Sequence, residues 1–230
     1  MAQHTLPGLP DIPILLRRSA RAKRISLRVS GLDGRVTLTL PLGLAEREGL
    51  QFAAQKRNWL RRQVAAKAVA EAVALGTRLP IEGRSCLVVQ GVGRKLVRTD
   101  DQIAVPGAND RVGPKLRGYL KELARDRLAA ASDRYAARLG RDYHRLTLRD
   151  TRSRWGSCSS QAALMYSWRL IMAPCEVLEY VAAHEVAHLA EMSHAPKFWS
   201  IVTELYGEYA SPRRWLRENG TGLHNFRFGD

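Results

Sequence analysis

Four residues in the stretch 181–199, VAAHEVAHLAEMSHAPKFW, have the types and spacing that metal-assisted hydrolysis requires: His184, Glu185, His188 and His194. Residues four apart on an α-helix lie about 40° apart around its axis, so His184 and His188 project to the same side. Two imidazoles on one side can share one ion. Zinc suits them, because imidazole nitrogen is a good borderline ligand and a catalytic zinc site takes three protein ligands, leaving a fourth position open for water. His194 is the third candidate. Six residues past His188 it would fall roughly 240° around a continued helix, so it reaches the ion only if the helix ends near Met192-Ser193 and the chain turns back. Pro196 favours that break, since proline fits the first turn of a new helix and not the interior of an old one. A thermolysin-like site would instead recruit a later glutamate, Glu204 or Glu208, and ranks second because His194 needs only a short turn. Glu185, at the edge of the metal face, is placed to take a proton from a bound water and pass it to a leaving amine.

The pentapeptide HExxH arises by chance in about one chain in a hundred of this length, so it needs support from its surroundings. Support comes from the apolar Val177, Leu178, Val181, Val186 and Leu189 around it, from the third histidine and from the helix break. The metzincin pattern has the same ligand spacing, but Glu191 stands where its turn glycine belongs. The methionines, at positions 1, 165, 172 and 192, leave none after His194 to make a Met-turn.

The elements that must position these groups read as an α+β chain. Ile25–Val29 and Val36–Leu40 alternate apolar and polar residues around a Gly31–Gly34 turn, a β-hairpin signature. Residues 44–75, free of Pro and with Gly only at 49, read as one or two helices with Phe52, Trp59 and Leu60 turned inward. Residues 79–105 read as strands: Cys86–Val89, Lys95–Val97 and Ile103–Val105. Pro106–Pro114 is a candidate linker, and 115–139, with Leu116, Leu120, Leu123, Leu128 and Tyr135 at helical spacing, is the longest helix, stopped by Gly140. Its arginines read as a solvated face. Arg145–Arg149 and Leu164–Trp168 read as strands that precede the HExxH helix, and residues 1–11, with Pro7, Gly8 and Pro10, as a loose tail. An extended edge strand beside the metal helix is where a peptide can add itself and present a carbonyl to the ion.

With 45% hydrophobic and 26% charged residues, the 230-residue chain has the composition of a globular protein with a real core. No apolar run approaches a membrane span, and no signal peptide is evident, so a cytoplasmic location is expected. Cys86, Cys158 and Cys175 form no CxxC pair and read as reduced thiols, Cys158 as a small packing residue and not a ligand. The net charge of +15 is uneven: residues 159–230 hold six Lys or Arg against eight Asp or Glu, leaving 31 basic against 14 acidic residues before them. Arg17, Arg18, Arg21, Lys23 and Arg24 crowd one end of the first hairpin. No aromatic residues interleave with them for base stacking, so a solvated strand edge is the preferred reading and a nucleic-acid patch the other. His4 and His144 read as solvated.

The run RWGSCSS (154–160), with Leu170, Pro174, Leu178, Tyr180-Val181, HEVAH, His194 and Phe198-Trp199, resembles the YgjP-like metallopeptidase family, relatives of the SprT-like and WLM zinc proteases. The basic hairpin, the Trp59 helix and the Arg-rich central helix also resemble that family's N-terminal half, more loosely. The resemblance implies a zinc-dependent endopeptidase with His184, His188 and His194 as ligands, Glu185 as base, and Arg154–Cys158 packed by the site. Tyr206, Tyr209, Arg213, His224 and Arg154 are candidates to face a developing oxyanion. The expectation is therefore a β-rich basic region with a helix over 1–110 and a zincin-like domain over 111–230, its HExxH helix beside a small sheet, holding Zn2+ and acting on protein or peptide. The competing class is a nucleic-acid-associated protein with a structural zinc. Structural sites are four-coordinate and cysteine-rich, which this one is not.

Overall fold

A computed structural model describes residues 3–6, 9–30, 34–65 and 71–229 as a mixed α+β chain of two compact units, Met1–Val69 and Ala70–Asp230. The division falls well before the 110/111 boundary expected from composition. Pro106–Pro114 is no linker: a 3-10 turn at Asn109–Arg111 leads straight into a helix whose first residues, Val112 and Gly113, are buried.

In the first unit, strands β1 (Gln3–Leu6), β2 (Leu9–Arg18), β3 (Ser26–Val29) and β4 (Val36–Leu40) form a sheet in the order β1-β2-β4-β3. The β3–β4 hairpin is as expected; its turn at 31–33 lies outside the described residues. Of the expected loose tail over 1–11, the described residues 3–6 and 9–11 are strand, and the rest lie outside the described residues; the alternation Ile12, Ile14, Leu16 outweighs the prolines in β2. Pro10 and Pro13 precede the part of β2 that pairs with β4, Ile14–Arg18, so neither removes a ladder donor there. One face of the sheet buries Ile14, Leu16, Val36, Leu38 and Leu40 against Ala53 of helix α1 (Glu46–Gln55) and Leu60 of α2 (Arg57–Ala65). Phe52 and Trp59 pack at the edge of this core, and the helical stretch ends sooner than residue 75.

In the second unit, Glu71–Ala72 is a short strand, β5, and β6 (Arg78–Ile81), β7 (Arg84–Gly91), β8 (Val97–Arg98) and β9 (Gln102–Pro106) form a sheet ordered β6-β7-β9-β8. Glu82 and Gly83, at φ 52° and 76°, make the tight left-handed turn between β6 and β7. A Cβ on Gly83 would lie 2.9 Å from Pro174 Cα, so this turn fits only as glycine against the start of the HExxH helix. Glu82 also joins Arg98 and Arg127 at 2.6 and 2.7 Å. Burial pushes its carboxyl up, but the two guanidinium groups outweigh this and hold it below the usual carboxylate range.

Helix α3 (Val112–Leu139) buries Leu116, Leu120, Ala124, Leu128 and Tyr135 and ends on left-handed Gly140. Its arginines are not merely solvated: Arg127 holds Glu82, Arg134 holds Glu179, and Arg138 donates to the carbonyls of Glu204 and Leu205. Strands β10 (Arg145–Arg149), β11 (Gly156–Cys158) and β12 (Ala163–Ser167) make a sheet ordered β10-β12-β11, with β11 antiparallel at one edge. Trp168 begins a buried 3-10 turn that leads to helix α4 (Cys175–Ala187), followed by α5 (Pro196–Tyr206) and α6 (Ala210–Asn219). Finally β13 (Phe226–Arg227) returns to pair with β5.

Buried Arg169 ties this unit together. It donates to both oxygens of Asp150 (2.6 and 3.1 Å) and to the carbonyls of Leu223 and Phe226 (2.9 and 3.0 Å), with Trp168 and Phe228 against its plane. Arg169→Leu strands those acceptors and is expected to cost about 3 kcal/mol in denaturant unfolding, the lower end for a broken buried pair because Asp150 is partly exposed. Burial pushes Asp150 up, but Arg169 outweighs it and leaves the carboxyl below its ordinary range. A depressed carboxylate adds stability above its unfolded pKa of about 4 and loses it as pH falls through the folded value, so Asp150→Asn should flatten the acid limb of the stability profile below about pH 4.

Candidate metal centre

Helix α4 carries the first two histidines, and it ends earlier than expected, at Ala187 with His188 as its cap and not near Met192. The chain then turns through His188–Ala190, and α5 restarts with Pro196 in its first turn. This early break brings His194 back. One ligand atom from each of His184, His188 and His194 lies within 4.8 Å of the others, and the Nε2 atoms of His184 and His194 are 3.1 Å apart. Two imidazole nitrogens bound tetrahedrally at about 2.0–2.1 Å from zinc would be separated by roughly 3.3 Å, so the donor set fits such an ion. Among the described residues no carboxylate or thiol joins the cluster. Among the described residues neither Glu204 nor Glu208 joins the group that converges there, and Glu208 accepts from Ala210 N at 2.5 Å, so it is His194 and not a later glutamate that the fold brings to the pair.

Different forces orient the histidines. His188 Nδ1 lies 3.0 Å from the Glu191 carbonyl, which as acceptor fixes Nδ1 as protonated and leaves Nε2 for a metal. His184 Nδ1 is buried without such a partner. Its ring is instead held by packing: Tyr180 meets it edge-on at 5.9 Å, Trp199 at 5.7 Å and Phe198 at 4.9 Å, and Tyr209 stacks on Trp199 at 5.1 Å. Trp199 also flanks His194 at 5.8 Å, so it braces two of the three histidines at once. Trp199→Ala is therefore expected to weaken metal binding about tenfold or more in chelator competition, while Trp199→Phe retains most of it.

Burial, then the neighbouring His188, His194 and Arg213, pushes His184 down to about 3. His188 is lowered too, chiefly by burial. Neutral imidazoles are the form that binds metal.

Glu185 is only 6% exposed and lines the same cleft of about 470 Å3 as the histidines, Arg154, Gly156, Cys158 and Met192. Burial pushes its carboxyl up to about 8, with the charge of Arg154 acting the other way. Its neighbour is the edge strand itself: a Cβ on Gly156 would lie 2.5 Å from Glu185 Cγ and Oε1. Trp155 in turn fills the space over Gly220, where a Cβ would come within 2.9 Å of its ring, and lies 5.3 Å from His224. The RWGSC run thus has a physical purpose that spacing alone did not disclose: Trp155 anchors the strand, and Gly156 lets it touch the glutamate.

Of the other candidates, Arg154 lines the cleft. Tyr206 donates to the Glu176 carbonyl at 2.9 Å, His224 packs on Trp155, and Arg213 lies over Trp199. Cys158 lines the cleft outside the ligand cluster, its thiol pushed up to about 11 by burial and by Glu185.

A HExxH helix with a third histidine after a helix break, beside a sheet edge, thus assembles three imidazoles that could hold one metal ion. The sequence profile of the YgjP-like metallopeptidase domain matches residues 23–219, and the chain belongs to that family. No curated protein and no solved structure matches it. Among the described residues no helix is long and apolar enough to cross a membrane.

Proposed function

We propose that this chain is a zinc peptidase that hydrolyses peptide bonds in protein or peptide substrates, with His184, His188 and His194 as metal ligands and Glu185 as general base. The observation that carries the reading is that the Glu185 carboxyl packs against Gly156 of edge strand β11 and lines the same cleft as the three histidines. Zinc is the metal favoured by three imidazoles that leave room for a further ligand. Once bound, it supplies Lewis-acid polarisation of the scissile carbonyl and acidifies water towards a pKa of about 7. The chain's own groups do the rest. An extended substrate adds to the free side of β11 through main-chain hydrogen bonds, which sets its carbonyl against the cleft. Glu185 accepts a proton from the attacking water and delivers it to the departing amine. Its raised proton affinity makes it the better base for the first transfer, and a cation at the imidazoles would favour the ionised carboxylate which that transfer needs. Arg154, as the cation lining the cleft, faces the developing oxyanion.

Metal analysis with peptide-library cleavage tests this. The protein as purified should hold about one zinc per chain, lose cleavage on dialysis against a chelator, and regain it with one equivalent of zinc. Cleavage that survives complete metal removal would refute the proposal.

A further inference from the structure

The first unit carries a basic surface that the proposed hydrolysis does not use. Helices α1 and α2 cover one face of its sheet, and the opposite face, called the open face below, carries exposed Arg17, Ser26 and Arg28. Register places two cross-strand rows on the open face: Arg17, Thr39 and Ser26, then Leu15, Thr37 and Arg28. Arg17 and Arg28 are exposed, and so are Arg21, Lys23 and Arg24 in the loop that joins β2 to β3 at the Arg17 end. Among the described residues no acidic side chain pairs with any of these five, and Asp33 is the one acidic residue in all of 12–45. Arg18 differs, since it donates to the carbonyls of Leu42 and Leu44 (3.0 and 2.8 Å) and so holds the loop after β4.

A solubilising surface mixes both signs, whereas this one carries a single sign interleaved with hydroxyls. That combination matches a phosphate backbone, to which Arg and Lys bring charge and Ser and Thr bring hydrogen bonds. Among the described residues the face carries no aromatic side chain on which unpaired bases could stack, which favours a duplex over a single strand. Leu42 is the large apolar residue exposed nearby, too little to anchor the unit in a bilayer. We infer that the open face of the β1-β2-β4-β3 sheet binds the phosphate backbone of double-stranded nucleic acid without regard to sequence, through Arg17, Arg21, Lys23, Arg24 and Arg28.

Fluorescence anisotropy of a labelled 20-base-pair duplex, titrated with the full chain at graded NaCl, tests it. Five phosphate contacts predict a slope of log K on log salt near −4.5, about a 500-fold loss of affinity between 50 and 200 mM. Replacing Arg17, Lys23 and Arg28 by Gln should bring the slope to about −1.8, and replacing the same three by Lys where they are Arg should leave it near the wild-type value. Replacing Lys56, Arg57 and Arg62 on the helical layer by Gln removes as much charge from elsewhere in the unit and should change the slope little. Circular dichroism verifies that each variant is folded. Absence of binding at 20 mM salt, an equal loss in the helical-layer variant, tighter binding to a single strand, or tighter binding to anionic phospholipid vesicles at matched phosphate would each overturn the inference. Zinc removal should leave duplex binding unchanged, so this test is independent of the peptidase reading.

Discussion

Glu185→Gln should abolish peptide cleavage, lowering kcat by about 10²–10⁴-fold, while the zinc content of the protein stays at its wild-type level. The amide has the shape of the acid it replaces and none of its basicity, so it can neither accept the proton of water nor return it. Removing a ligand gives a different pattern. His188→Ala should lose metal and activity together, because three-point attachment falls to two and the Glu191 carbonyl loses its donor. The pairing of a metal-retaining dead variant with a metal-losing one distinguishes a catalytic group from a binding group. Folding does not confound the comparison, since burial already favours the uncharged form of Glu185 and a neutral amide of equal size meets the same surroundings. Unchanged cleavage by Glu185→Gln would remove it from the mechanism.

What the sequence disclosed was what is encoded locally. His184 and His188 share one helix turn, and Pro196 signals the restart of a helix from two residues beyond His194, so the histidine cluster follows from short-range rules of turn geometry and proline stereochemistry. Helix α3 and the β3–β4 hairpin are likewise periodic over their own length. The break before His194 was placed about a turn too late, because no Gly or Pro between Ala187 and Ser193 marks it and tertiary packing of Phe198 against the histidines closes it instead. Longer-range features had no local mark at all. The pairing of β5 with β13 joins two-residue strands from opposite ends of the second unit, and the arginines of α3 look alike in sequence whether they face water or Glu82 and Glu179. The strand at Leu9–Arg18 was hidden by its prolines, whose cost vanishes once the register shows that their nitrogens have no β4 partner.

Gly156 is the clearest case of a residue legible as a motif member but not as a mechanism, and it gives the second large effect. Its Cα hydrogen occupies the space next to the Glu185 carboxylate, and a methyl group there would overlap Cγ, Oε1 and Cδ at 2.5–2.7 Å. Something must move by about 1 Å. Backbone retreat would break the antiparallel register of Gly156 with Tyr166, whose ring is wholly buried, so the glutamate is the part that yields. A displacement of that size in a proton-transferring group costs on the order of 10²-fold in rate even where every functional group remains present. Gly156→Ala should therefore cut kcat about 100-fold, keep its zinc, and lose no more than roughly 1–3 kcal/mol of stability, the ordinary cost of overpacking. Gly156→Ser should be no better, since its hydroxyl adds bulk at the same point. The glutamate and the glycine then act as one unit, and in a double-mutant cycle Gly156→Ala added to Glu185→Gln should produce almost no further loss of activity. Additive losses would mean that Gly156 serves the substrate through strand β11 and not through Glu185, and would move its role from the proton transfer to peptide binding.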